Sequence, residues 1–250
     1  MGNLLKKHSG LRDVRFILAV GSGKGGVGKS TLCAMLSIAL REAGYLVGIL
    51  DLDFYGPNIG ILLGAEKEKP LIEFGKIKPV IVKGIKILSL AFFTSEREGI
   101  FMRGPMAQSL IKELMEKTEW GPLDFLILDL PPGTGDIFLT VLDWISLDGF
   151  ILITTAHKLS LSDAKRTLNL LRESNVPILG IVKNMSNLWE GEKEWESFLK
   201  EEKIPFLLSI PFIKNLSEKE NLEALTQIPE IKEIFKTLGS KILEKIFRIH

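Results

Sequence analysis

The sequence predicts an α/β fold, a doubly wound, mostly parallel sheet flanked by helices. Three observations carry this expectation. Short apolar runs alternate with stretches of helical period along the 250 residues, the pattern of parallel strands joined by crossover helices. A glycine-rich stretch, Gly23 to Thr31, falls between the first apolar run and the first helical one. Acidic residues follow two further apolar runs, at Asp51 and Asp129, and open parallel sheets place ligands at the carboxyl ends of their strands.

Taken in order, strands are expected at 16–20, 46–50, 85–90, 125–130, 149–154, 178–182 and 206–209, and helices at 30–43, 105–117, 160–173, 192–202 and 230–247. Between the second and third strands, Pro70, Gly75 and Lys83-Gly84 punctuate apolar residues and predict an edge hairpin within 70–90. Ser160-Leu161-Ser162-Asp163 reads as a helix N-cap with an acidic residue in the first turn. No repeat, linker or low-complexity tract divides the chain, so one domain is expected over 1–250, with 1–13 as an N-terminal arm.

Composition excludes several classes. With 46% apolar residues the chain has ample material for a core. It has no apolar run near the ~18 residues of a membrane-spanning helix. The net charge of +1 comes from 32 basic and 31 acidic residues that interleave, which leaves no electrostatic footprint for nucleic acid. Met1-Gly2-Asn3 begins like a myristoylation signal, but Lys6 stands where Ser or Thr is wanted and no signal-peptide core follows. A cytoplasmic location is expected. The one cysteine, Cys33, excludes disulfides and a thiolate cage within one copy of this sequence.

Residues 23–31 satisfy G-x-x-x-x-G-K-[ST] through Gly23, Gly28, Lys29 and Ser30, in the strand, loop, helix context the motif requires. Gly25, Gly26, Val27 and Gly28 let backbone N–H groups close on phosphate oxygens at a helix N-terminus, Lys29 supplies charge, and Ser30 offers a hydroxyl to Mg²⁺. Lys24 is unusual. On the outer rim it is badly placed for its own nucleotide and well placed for a neighbour's. An acid after an apolar strand suits Mg²⁺, so Asp129 is expected at the metal with Asp51 assisting. Asp53 is expected to orient the attacking water, and Gly133 to offer its N–H to the γ-phosphate. The guanine motif N-K-x-D is missing, whereas Asn184 ends a strand with a carboxamide able to pair with an adenine edge. ATP is therefore expected over GTP.

These stretches, with 51–58, 103–106, 128–136, 154–155, 160–163 and 184–186, resemble the Mrp/ApbC branch of the deviant Walker A ATPases, the group that includes MinD and ParA. The resemblance implies a dimeric, Mg²⁺-dependent ATPase that assembles metal centres, usually as an iron–sulfur carrier. It implies that Lys24 crosses a face-to-face homodimer, and it gives Lys24, Lys29, Ser30, Thr31, Asp51, Asp53, Asp129 and Asn184 nucleotide roles.

The sequence departs from that branch at one place. Cluster-carrying members have a C-x-x-C pair after 184–186, and 184–193 contain no cysteine here. No bound iron–sulfur cluster is therefore expected. Without those thiolates the chain resembles the archaeal ATPase-type HypB proteins, which implies nickel insertion for NiFe hydrogenase with a HypA-like nickel and zinc partner. Two alternatives stay open: an iron–sulfur carrier of the Mrp/ApbC type, and a MinD-like membrane switch. The switch rests on an apolar stripe at Ile231, Ile234, Phe235, Leu238, Ile242, Leu243, Ile246 and Phe247 with Lys232, Lys236, Lys241, Lys245 and Arg248 between. An ordinary packed helix explains that stripe as well, and membrane binding is not expected.

Overall fold

The apolar run after the arm becomes the middle of a sheet. The computed structural model describes residues 9–53, 58–93, 104–189, 191–213 and 226–249. Residues 1–8 of the arm, 54–57 of the first acidic segment and Arg103 lie outside those ranges. The strands are β1 (Val14–Gly21), β2 (Val47–Asp51), β3 (Leu71–Glu73), β4 (Lys76–Lys78), β5 (Val80–Val82), β6 (Ile85–Ser89), β7 (Leu123–Asp129), β8 (Gly149–Thr154), β9 (Ile178–Asn184) and β10 (Phe206–Ile210). The helices are α1 (Lys29–Glu42), α2 (Ile59–Leu63), α3 (Gly104–Lys117), α4 (Asp136–Trp144), α5 (Lys158–Glu173), α6 (Glu192–Glu202) and α7 (Pro229–Ile249).

Eight strands form one sheet in the order β10-β9-β8-β1-β7-β2-β6-β5. All pair in parallel except β5, which runs antiparallel to β6 at the edge. From β1 the chain winds outward to β2 and β6, returns to β7, and then winds the other way through β8, β9 and β10. The reversal leaves a crevice beyond the carboxyl ends of β1 and β7. All seven expected parallel strands are present.

Helices cover both faces because both faces of the strands are apolar. Leu32, Leu36, Phe235, Leu238 and Ile242 of α1 and α7 bury one face with Leu18, Ile49 and Phe125. Ile111, Phe138, Leu168 and Trp195 of α3, α4, α5 and α6 bury the other with Ile17, Leu126 and Leu152. Each such side chain removed from water contributes about 1.5–3 kcal/mol. Most of the α7 stripe is core: Ile231, Phe235, Leu238, Ile242 and Ile246 are buried, Ile234 and Leu243 are partly buried against them, and Phe247 is exposed. Gly239 lets α7 lie on α1, since a Cβ there would stand 3.1 Å from Ala39 Cβ. That packing removes the sequence support for a membrane-binding helix. No helix among the described residues is long and apolar enough to cross a membrane.

Three details differ from expectation. The region 70–90 holds two hairpins: β3 pairs with β4 off the main sheet, and β5 pairs with β6 on its edge. Phe74-Gly75 and Lys83-Gly84 each take two positive φ angles, the type I′ turn that closes a two-residue hairpin. The α5 helix starts at Lys158, before Ser160, because His157 Nδ1 accepts the Leu159 N–H at 3.3 Å and caps it. Ser160 instead lies within the helix, bonded to Thr155 at 3.0 Å. Helix α4 was not expected, since Ile137, Phe138, Thr140 and Val141 favour strands locally. Burial against α3 and β8 decides otherwise.

Candidate functional site

The glycine loop leaves β1 at Gly21 and enters α1 at Lys29, over the crevice. Its glycines are required where it touches other chain. At Gly23 a Cβ would come 2.4 Å from the Asp163 carbonyl carbon, so the loop lies directly on α5. Gly28 takes φ 90, a left-handed conformation that lets the loop turn into the helix. Ser22 Oγ donates to Lys24 O at 2.9 Å within the loop.

Lys29 and Ser30 are buried, and Lys24, Gly25 and Gly26 are exposed. Lys29 Nζ lies 2.6 Å from Asp129 Oδ1 and 3.4 Å from Asp53 Oδ2. The sheet register sets this arrangement, because Asp129 of β7 stands between Val20 of β1 and Asp51 of β2. Asp51 Oδ1 accepts the Asp53 N–H at 3.1 Å, and Asp51 Oδ2 accepts the Ser89 hydroxyl at 3.1 Å. Thus Lys29, Asp51, Asp53 and Asp129 come together as the sequence leads one to expect. Ser89 was missed, since a serine at the end of an apolar strand has no signature.

Electrostatics follow from burial. Burial alone would lower the Lys29 pKa, but Asp129, with help from Asp53, more than offsets this and holds it above the ordinary lysine value. Burial, then the neighbouring Asp129 charge, pushes Asp51 well above the usual carboxylate range. Asp129 is also raised by burial, with Lys29 opposing. One ammonium thus faces three carboxylates, and Asp129 Oδ2 is buried without a hydrogen-bond partner. A divalent cation fits this excess of negative charge. Asp129, Asp51 and the buried Ser30 hydroxyl could hold it. Among the described residues no cluster of three or more His, Cys, Asp or Glu is arranged to hold a metal alone.

Two residues stand in the site with other contacts than expected. The Gly133 N–H donates to Ser22 O at 2.8 Å, tying the turn after β7 to the glycine loop, so it is not free for a phosphate. Asn184 Nδ2 donates to Val27 O at 2.8 Å, so one of its two N–H groups faces the loop. Beside Gly28, an open slot is lined by Thr31, Met35, Ile153, Met185 and Ile210 to Ile213. Ile210 to Ile213 were not singled out, because apolar residues after a strand read simply as core. Cys33 is fully buried, and its thiol is pushed well up by burial and then by Asp129, so it is neither a thiolate nor accessible.

A doubly wound parallel sheet, a glycine loop at its reversal point and a buried lysine between strand-end carboxylates are the marks of a P-loop NTPase. A family model for ParA, described as NUBPL iron-transfer P-loop NTPase, matches residues 13–247, and the chain belongs to that family. An iron-sulfur cluster carrier protein of Rickettsia felis is 41% identical over 90% of this chain and 64% of its own length. One from Aquifex aeolicus is 46% identical over 69% of this chain and 48% of its own. One from Pyrococcus horikoshii is 36% identical over 94% and 88%. The chain thus spans only about half to two thirds of the first two. A solved nucleotide-binding protein of Archaeoglobus fulgidus in complex with ADP has a TM-score of 0.70 at 31% identity, covering 92% of this chain and 90% of that one. The cell division ATPase MinD of Pyrococcus furiosus shares the fold at TM-score 0.70 and 24% identity, over 92% and 98%. The likeness to HypB gains nothing from these relatives, whose names point to iron–sulfur clusters.

Proposed function

We propose that this chain is a Mg²⁺-dependent ATPase that works as a homodimer in iron–sulfur cluster assembly, with the cluster as its cargo. The observation that supports it best is the buried Lys29, held by Asp129 and Asp53 beneath a glycine loop, in a chain whose relatives are named as cluster carriers. In this reading the Lys29 ammonium binds the β- and γ-phosphates. Asp53, 3.4 Å from that ammonium, orients the attacking water and takes up its proton. Ser30, Asp129 and Asp51 hold Mg²⁺, which when bound neutralises charge developing on the phosphate oxygens. Lys24 serves the partner's nucleotide.

Cargo ligation needs thiolates, and Cys33 cannot supply one. The thiolates come from another chain, and ATP turnover here drives the handover. Nickel insertion with a HypA-like partner would use the same switch, but no relative named above speaks for it. The test follows cluster transfer from a loaded cysteine-bearing donor to an apo-acceptor, with and without Mg-ATP, for wild type and Lys29→Ala. We expect ATP to accelerate transfer only with the wild type. Transfer indifferent to both would sink the cluster reading, and absence of ATP hydrolysis would sink the ATPase.

A further inference from the structure

Asn184 closes β9 opposite Ile210 of β10, and its side chain reaches 157 residues back to the glycine loop. The contact is close: a Cβ on Gly28 would lie 2.3 Å from Asn184 Nδ2. Its own backbone is held beyond the strand, where the Ser186 N–H donates to Ile210 O at 3.1 Å and the Leu188 N–H to Met185 O at 3.0 Å. Among the described residues, no other side chain outside the loop donates to a carbonyl of 23–28.

We infer that Asn184 is a positioning residue for the phosphate loop, setting the direction of the Gly28 N–H through its bond to the Val27 carbonyl. The inference rests on the reading of 23–31 as a phosphate site. A trans peptide unit points its C=O and N–H in opposite directions, and the structure has no cis peptide among the described residues. Fixing Val27 O therefore fixes the amide hydrogen just ahead of Lys29. Gly28 needs such an external hold, because it caps α1 with φ 90 and has no side chain to lock it there. A loop with its amides already aimed binds phosphate without the cost of ordering them. This role is blind to the base, unlike the adenine-pairing role expected for the same residue.

Ligands without a base separate the two. Wild type, Asn184→Leu and Asn184→Ala are titrated with Mg-ATP, Mg-GTP and Mg-tripolyphosphate, well below each variant's melting midpoint. We expect both variants to bind all three about tenfold more weakly, the worth of one hydrogen bond to a preorganised loop, with the ATP to GTP ratio unchanged. Should Asn184→Leu fail to fold, Asn184→Ala carries the test, since it removes the donor and adds neither bulk nor charge. Unchanged tripolyphosphate affinity, with or without a loss for ATP, overturns the positioning role. Wild type that binds neither ATP nor tripolyphosphate removes the phosphate site itself, a different failure.

Discussion

Lys24 and Lys29 belong to one loop of nine residues and live in opposite environments. Lys29 is 6% exposed, with two carboxylates around its ammonium. Lys24 is exposed, and its side chain has no partner among the described residues. Its carbonyl, by contrast, is held by Ser22. A buried ammonium needs compensation, because desolvation costs several kcal/mol, and the sheet register supplies it. An exposed lysine keeps its hydration and needs no such partner. The difference teaches that one loop carries a phosphate charge for its own site and another aimed outward, which in the proposed dimer serves the partner.

The largest effect is expected from Lys29→Ala, which breaks the buried half of the comparison. It deletes the phosphate charge and leaves Asp51, Asp53 and Asp129 facing one another. ATP affinity should fall on the order of 100-fold or more, and stability by on the order of 3 kcal/mol at neutral pH. Calorimetry reads both, and unchanged affinity would remove Lys29 from the site.

Lys24→Ala breaks the exposed half. ATP affinity of the monomer should stay within about threefold of wild type, while turnover falls on the order of 100-fold and nucleotide-dependent dimers vanish in sedimentation. Arginine sharpens the contrast, since its planar fork suits an open position and not a pocket shaped for a compact ammonium. Lys24→Arg should keep dimers, and Lys29→Arg should not bind ATP. Equal tolerance at both positions would mean that the environments do not set the roles.

Asp51→Asn tests the excess negative charge that makes the buried lysine necessary. Burial raises the Asp51 pKa in the folded chain, so the fold favours its protonated form. That contribution is fully present below the unfolded value of about 4 and is lost as pH rises through the folded one. The amide removes this loss. Asp51→Asn should therefore melt a few degrees above wild type at pH 8, about 1 kcal/mol for a chain of this size, and level with it near pH 4. Mg²⁺-dependent turnover should drop in the same variant. A gain equal at both pH values would contradict the raised pKa.

The smallest effect is expected far from both lysines. His157→Ala removes the α5 cap and should cost about 1 kcal/mol, or roughly 2–4 °C in melting, with ATP affinity unchanged. An altered affinity would show that α5, on which Gly23 rests, transmits strain to the loop.

Much of this was legible because it is local. The strands follow from uninterrupted apolar runs, and the loop from fixed spacing of Gly23, Gly28, Lys29 and Ser30. Strand-end acids needed one further step, since only a parallel sheet brings Asp51 and Asp129 side by side. The doubling of the hairpin was written in two X-Gly pairs, Phe74-Gly75 and Lys83-Gly84, though not which strand each would join.

By itself the sequence determined where the seven parallel strands run, which loop turns into a helix, and which side chains carry charge, because these depend on neighbours a few positions apart. The tertiary structure alone decided how closely Asp53 and Asp129 approach Lys29, that Gly133 bonds Ser22, that Asn184 holds Val27, and that the α7 stripe covers α1 and not a membrane. Each of these joins residues tens to hundreds of positions apart, and a polar group is assigned its partner by what else packs within hydrogen-bonding reach. No periodicity or spacing within the chain records that reach.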